Sequence, residues 1–296
     1  MTPLFDRSLL RIRQARALSL GPATFLLDHV ATELSERLSA VLRQFDIAVD
    51  LGTATDAVRR AIVGTGKTGT IVAAFPDAPH LGNSGLYIAA DEEALPFADG
   101  SLDLVVSGLA LQFVNDLPGT LIQIRRALKP DCLLLAALIG GESLSELRTA
   151  FAAAESEIEG GISPRVAPFA DVRELGALLQ RAGFALPVVD SERLVARYDS
   201  ALALMHDLRR MGATNVLSER QHTPLKRATL ERVDAIYAER FGDADGRIRA
   251  SFEIIWLSAW APHDSQQKPL KPGSAARRLA DALGTQEMPT GEKPEP

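Results

Sequence analysis

DEEALPFADGSLDLVVSGLALQFVNDLPGTLIQIRRALKPDCLLLAALIGG, residues 91–141, passes from an acidic pair through a strand, a helix and a second strand, and this order decides the fold class. The turn signal Ala98-Asp99-Gly100-Ser101 precedes the apolar run Leu104-Val105-Val106, which fits a strand buried on both faces. From Asp116 the period changes: Leu117, Leu121, Ile124 and Leu128 share one helical face, while Gln123, Arg125 and Arg126 point away from it. Pro130 is expected to stop that helix. Leu133 to Leu138 is a second apolar run of strand length. Strand, crossover helix and strand form a unit that almost always closes right-handed and parallel.

Upstream, Ile47 to Leu51 reads as a strand leading into Gly52, followed by a helix from about Asp56 to Val63. A turn at that point brings backbone close to a ligand, and glycine removes the side chain that would block the approach. The loop is Asp50-Leu51-Gly52-Thr53-Ala54-Thr55-Asp56, in which only the first position of a glycine-rich turn holds glycine. Thr70 to Phe75 is a second strand and Leu86 to Ala89 a third. An acid at the tip of the second strand would accept hydrogen bonds from ribose hydroxyls, but Ala73, Ala74, Phe75 and Pro76 stand there and Asp77 comes late. Asp91 and Glu92 follow the third strand, where a carboxylate can accept from an adenine amino group. Gly66-Lys67-Thr68 ends like a phosphate loop, yet Ala61 occupies the place of its required first glycine, so the segment reads as a helix-to-strand turn.

The remaining chain supports an α/β reading, a mostly parallel doubly wound sheet of seven strands. Residues 1–43 form an N-terminal helical cap, with Leu27, Val30, Leu34, Leu38 and Val41 as its apolar stripe. Arg7, Arg11, Arg13 and Arg16 suggest a basic helix over a pocket, or a solvated face. Residues 44–262 are the main domain. Beyond Gly141 it carries helices at 142–154 and after the capping Asp171, strands at 187–198 and 252–260, and a helical insertion at about 200–247 before the last strand. Residues 263–296 make an extension with one helical stretch at about 275–283, expected to be disordered from about 285.

Composition bounds the function. With 46% apolar and 24% charged residues, the chain has the balance of a soluble protein that buries a sizeable core. A net charge of −6 argues against a nucleic-acid partner held by phosphate contacts. The longest apolar stretch, Leu133 to Ile139, is too short to span a bilayer. Cys132 stands alone within a strand and reads as a small buried hydrophobe. His29, His80, His206, His222 and His263 show no metal-ligand spacing, so no metal site is expected.

The glycine turn after the first strand and the acids after the third resemble the class I S-adenosyl-L-methionine-dependent methyltransferase (Rossmann-like) fold. Within it the chain is similar to the family of the mitochondrial complex I assembly factor that hydroxylates an arginine of a core subunit, together with bacterial relatives. The matching segments are DEEALPF at 91–97, VNDLPGTLIQIRRALKPD at 114–131, GGESLSELR at 140–148, EGGISPRVAPF at 159–169, RAGF at 181–184 and APHDSQQKP at 261–269. A more distant likeness is to the malonyl carrier-protein methyltransferase of biotin synthesis.

The resemblance implies an S-adenosyl-L-methionine site made by Asp50, Gly52, Ala54, Asp91, Glu92, Ser107 and Gly108. Ala54 and Asp56 depart from the family's second and third glycines, and Gln112-Phe113 replaces its usual His-Trp pair; these changes weigh on cofactor affinity. Candidate catalytic or substrate-gripping residues are Gln112, Glu142, Glu146, Arg148 and His263, with Arg165 and Asp171 behind them. A carboxylate such as Glu142 or Glu146 pairs bidentately with a guanidinium; the plainer role for these residues is helix-surface charge. Trp256 and Trp260 read as core. The reading is a methyltransferase-like protein acting on a protein substrate, a core subunit of NADH dehydrogenase. Arginine hydroxylation and a non-catalytic assembly factor with a degenerate site are the alternatives. The family pattern starts at Phe5, which implies a bacterial cytoplasmic protein, at most weakly associated with the inner membrane.

Overall fold

A computed structural model describes residues 3–76, 85–267, 280–281 and 284–285. Residues Met1–Pro262 form one compact unit and His263–Pro296 a second. The first unit holds a seven-stranded sheet in the order β3-β2-β1-β4-β5-β7-β6. Its strands are β1 (Phe45–Leu51), β2 (Thr68–Phe75), β3 (Leu86–Ala89), β4 (Leu102–Gly108), β5 (Leu128–Ile139), β6 (Ala185–Tyr198) and β7 (Ile248–Trp260). The pairs among β1 to β5 are parallel, and β7 runs antiparallel to both β5 and β6. β4 is buried along its whole length, as a central parallel strand covered on both faces must be. The apolar runs therefore mark the middle of the sheet, and the alternating sequence of β6 marks its edge.

Among the described residues eight α-helices surround the sheet: α1 (Arg7–Ser19), α2 (Phe25–Ser39), α3 (Ala57–Gly64), α4 (Leu117–Ala127), α5 (Ser145–Ile158), α6 (Val172–Arg181), α7 (Ala201–Arg210) and α8 (Arg227–Phe241). One core layer packs α4 and α6 on one face through Leu121, Ile124, Leu175 and Leu179. The opposite layer brings Val30, Leu34 and Leu38 of α2 against Val58 and Ile62 of α3. The N-terminal helices thus share the main core. The insertion, α7 and α8, packs with α5 and the start of β7 around Tyr237 and Phe252.

Two expected boundaries fall elsewhere for backbone reasons. Pro130 lies inside β5 and not at the end of a helix; α4 ends at Ala127 because Leu128 is already extended, with ψ 134°. The β4–β5 register shifts between Leu102 and Leu104, and Asp131 turns to φ 60°, an irregularity that accommodates the proline's missing N–H. The helix anticipated from Glu142 starts at Ser145, since Leu144 takes a left-handed conformation with φ 54°. Gly66-Lys67-Thr68 is a turn from α3 into β2, with Gly66 at φ 66°. The expected helix at 275–283 and the tail from 285 fall almost wholly outside the described residues.

Candidate functional site

The carboxyl ends of β1, β4 and β5 and the acidic turn after β3 form the site. Gly52 leaves β1 at φ 73°, a conformation that costs a side-chain-bearing residue strain. A Cβ there would stand 2.7 Å from Glu92 Oε1 and 2.9 Å from Ala110 Cβ. The glycine is thus needed twice, for its turn and for the close approach of Glu92. Behind the loop, Asp50 is fully shielded from solvent and accepts a short hydrogen bond from Thr53 Oγ1. Arg59 Nε lies 3.7 Å from its other oxygen. Burial pushes Asp50 up to about 7, and the Thr53 hydrogen bond and the Arg59 charge offset only part of that rise.

Thr53 Oγ1 in turn accepts from the Gly108 N–H at 3.0 Å, and Ser107 Oγ donates to the Leu51 carbonyl at 2.8 Å. Ser107 and Gly108 tie the end of β4 to the glycine loop. Gly108 also admits no Cβ, which would meet Val58 Cγ2 at 2.8 Å.

Asp91 and Glu92 face the same corner and are held by the first helix. Arg7 reaches Asp91 Oδ1 at 2.6 Å, Glu93 Oε1 at 3.2 Å and, in a very short contact, Glu92 Oε2. Arg11 reaches Asp91 Oδ2 at 2.6 Å. Burial works against the charge of Asp91, yet the Glu93 N–H and the two arginines hold it below the usual carboxylate range. Glu92 is buried more deeply, and burial raises it despite Arg7. A shallow cleft, about 310 Å³ with the open solvent at its mouth, remains among Arg7, Arg11, Gly52, Glu92 and Phe113.

A larger chamber, about 980 Å³ with its open mouth, continues from the loop. Ala54, Thr55, Gly108, Leu109 and Gln112 line its near side. α1, α2 and α7 roof it, with Leu144, Phe169 and Phe252 across from the loop. Leu109 and Leu144, which follow β4 and β5, have φ 52° and 54°, left-handed conformations that a leucine keeps only when its surroundings enforce them. Gln112 donates from Nε2 to the Leu109 carbonyl at 2.7 Å, while its Oε1 is buried with no hydrogen-bond partner among the described residues.

The structure brings Asp50, Gly52, Ala54, Asp91, Glu92, Ser107, Gly108 and Gln112 together at one edge of the sheet. The other candidates have partners of their own. Glu146 is buried and accepts from Ser251 N at 3.2 Å and Ser251 Oγ at 2.5 Å. Arg148 is exposed and braces the Gly141 carbonyl at 3.3 Å. Glu142 is exposed, its N–H donating to Glu253 at 3.0 Å. Arg165 pairs with the buried Glu155 at 2.5 Å, and Asp171 caps α6 through the Glu174 N–H. His263 belongs to the C-terminal unit, where its Nδ1 lies 2.7 Å from Ser265 Oγ. Asp77 falls outside the described residues. Cys132 is buried, and burial pushes its thiol up to about 11. Among the described residues no group of three His, Cys, Asp or Glu side chains is placed to hold a metal ion.

A methyltransferase-domain family profile matches residues 49–136, the glycine loop through β5. Arginine-hydroxylase NDUFAF5 of Danio rerio is 36% identical over 94% of this chain and 89% of its own length. The Homo sapiens protein of the same name is 36% identical over 98% and 86%. The chain belongs to the arginine-hydroxylase NDUFAF5 family. A malonyl-[acyl-carrier protein] O-methyltransferase of Xylella fastidiosa is a more distant relative, 32% identical over 88% of this chain and 90% of its own. The fold matches a solved Bacillus halodurans protein described as a putative methyltransferase, with TM-score 0.54 at 16% identity, covering 79% of this chain and 99% of that one. These relatives correct one expectation. A bacterial cytoplasmic protein was implied by the sequence, whereas the family members matching nearly the whole chain are described as mitochondrial. No helix among the described residues is long and apolar enough to cross a membrane.

Proposed function

We propose that this chain is an S-adenosyl-L-methionine-binding enzyme that hydroxylates an arginine of a protein substrate, a core subunit of NADH dehydrogenase. The observation that carries the reading is the pair of neighbouring cavities at the carboxyl edge of the sheet, one at Glu92 and Gly52 and the other at Ala54 and Gln112, both lined by Gln14 and Phe113, in a chain that matches named arginine hydroxylases over nearly its whole length. Open α/β sheets bind their ligands at this edge.

The residues present fit the cofactor. Gly52 and Gly108 let Glu92 and Val58 pack against the loop backbone, and the cavity lined by Ala54, Thr55, Gly108 and Gln112 supplies the room for a cofactor arm. Glu92 and Asp91 would take the nucleoside, and Ala54, Gly108 and Gln112 the methionine arm. When bound, the cofactor supplies a positively charged sulfonium beside the chamber. The chain's own groups orient and desolvate: Thr53 and Ser107 fix the loop, and the leucines and phenylalanines exclude water from the reacting atoms. Hydroxylation replaces a C–H bond by C–OH, a two-electron oxidation for which molecular oxygen and an external two-electron donor would be co-substrates, the second oxygen atom leaving as water. Methyl transfer is the second reading, favoured by the profile match across residues 49–136.

Mass spectrometry of the NADH dehydrogenase core subunits, from cells with and without this protein, tests the proposal. One oxygen missing from a single arginine is the expected result. A missing methyl group would give the second reading, and an unaltered subunit would leave a non-catalytic assembly factor. Calorimetry with S-adenosyl-L-methionine should show micromolar binding.

A further inference from the structure

Both cavities share one roof. Arg7, Leu10, Arg11 and Gln14 of α1 line the acidic cleft, and Gln14, Ala17 and Leu18 line the chamber, so a single helix lies over the two. The carboxylates that a nucleoside would use are already taken: Arg7 holds Asp91, Glu92 and Glu93, and Arg11 holds Asp91. An ion pair of this kind is stronger than the hydrogen bond of a neutral amino group, so Arg7 has to withdraw before an adenine can enter.

The helix is built to withdraw. α1 buries two of its thirteen residues, Leu10 and Ala17, where α2 buries six of fifteen. Its apolar partners form a small cluster separate from the main core, in which Phe5 and Leu10 pack with Val216 and Leu217 and rest on Phe113. Backbone bonds join the same two segments: the Asp6 N–H donates to the Val216 carbonyl at 2.8 Å and the Ser218 N–H to the Leu4 carbonyl at 2.9 Å, and Phe5 pairs with Leu217 in an antiparallel bridge. Both segments also leave the body at one place. Gly21 after α1 and Gly212 after α7 turn at φ 78° and 73°. Arg210 links the two turns, its Nε donating to the Gly21 carbonyl at 2.8 Å and its own carbonyl accepting from the Ala23 N–H at 3.2 Å. Away from these turns Asn115 fastens the unit: its Oδ1 accepts from the Phe5 N–H at 2.8 Å and its Nδ2 donates to the Phe5 carbonyl at 3.2 Å. Asn215 adds a bond to the Pro164 carbonyl at 2.7 Å.

We propose that α1 and residues 213–218 form a hinged cover that lifts as one unit about Gly21 and Gly212, latched by Arg7 on the acids and by Asn115 on Phe5, and that a nucleoside reaches Asp91 and Glu92 only while it is lifted. Cofactor entry by this route rests on the proposed function; the movement of the cover does not. Once lifted, α1 loses its packing, and a lone helix of thirteen residues is marginal in water, so its amides become open to exchange.

Hydrogen–deuterium exchange of the full chain, read by mass spectrometry without ligand, tests the cover. Peptides of α1 and of 213–218 should exchange together, at least about tenfold faster than those of α2 and α4, whose faces enter the main core. Asn115→Ala removes two hydrogen bonds from the latch and should speed both segments about tenfold, with α2 and α4 unchanged. The cover is overturned if the two segments exchange at unrelated rates, if α1 is protected as strongly as α4, or if Asn115→Ala alters neither. Stopped-flow binding of S-adenosyl-L-methionine then tests the gating. Its observed rate should level off with concentration, at a plateau that Asn115→Ala raises about tenfold. A linear rise that the variant does not change would overturn the gating. No binding at all would remove the proposed function, and the exchange measurements would still decide the cover.

Discussion

At the nucleoside end, Asp91, Glu92 and Glu93 meet Arg7 and Arg11 within 3.2 Å, whereas the chamber beyond Ala54 is walled by leucine and phenylalanine with its one arginine at the rim. A ligand entering the first region must exchange contact for contact, because each carboxylate already has a partner. In the second it gains mainly by leaving water. Affinity at the acidic end should therefore depend on salt and on α1, and affinity in the chamber on shape.

The largest expected effect comes from breaking the acidic end. Arg7→Ala leaves Glu92, with 9% side-chain exposure, buried without its counter-charge. Removing one partner of a buried pair costs about 3–5 kcal/mol, and because Asp91 and Glu93 are about one-third exposed we expect about 2 kcal/mol. Urea denaturation measures it. A loss below about 0.5 kcal/mol would make the pair an exposed one in energetic terms and erase the contrast between the two regions.

The next effect separates the loop from both. Asp50 has an ordinary value of 3.8 and a folded value of about 7, so across that interval the folded chain keeps a proton that the unfolded chain has lost. Its contribution is full below 3.8 and declines as pH rises to about 7, beyond which it is flat. Asp50→Asn removes this component. Wild-type stability minus variant stability should fall across the interval, as denaturation midpoints at a series of pH values would show. A constant difference would mean that Asp50 is ionised throughout, held by Arg59 more firmly than the 3.7 Å separation suggests.

How much of this was legible in sequence follows from which signals are local. Period and burial are local, so β3 at Leu86–Ala89 and α6 after Asp171 stand where expected, and the parallel core follows from the apolar runs. The turn at Gly52 follows from the strand that precedes it, and Asp91 and Glu92 are placed by their position after the third strand; the structure brings Gly52 and Glu92 into contact. The spacing of the α1 arginines fits a basic helix over a pocket or a solvated face equally; that Arg7 pairs with Glu92, 85 positions away, depends on tertiary packing that no spacing rule encodes. The chamber was invisible for the same reason, since its wall combines α1, α2, α7 and the strand ends. Leu109 and Leu144 give no hint of a left-handed backbone, because leucine rarely adopts one. Conversely, GGESLSELR suggested a guanidinium grip at Glu142 and Glu146, but the left-handed Leu144 delays the helix and buries Glu146 against Ser251.

The smallest effect discriminates within the acidic end itself. Arg11 reaches Asp91 at the same 2.6 Å as Arg7 does, but its side chain is 36% exposed against 13% for Arg7, and Asp91 is 35% exposed. Two exposed side chains gain little by pairing, because water already solvates both and ordering them costs entropy. Arg11→Ala should therefore cost no more than about 0.5 kcal/mol, and that cost should shrink in high salt, where a surface pair is screened. Arg7→Ala should keep most of its penalty under the same conditions, because Glu92 is shielded from the counter-ions that would replace its partner. Denaturation of both variants in low and high salt provides the check. If the two penalties are equal and fall together with salt, exposure does not govern this cluster, and the acidic end would be an open anionic surface that α1 merely visits.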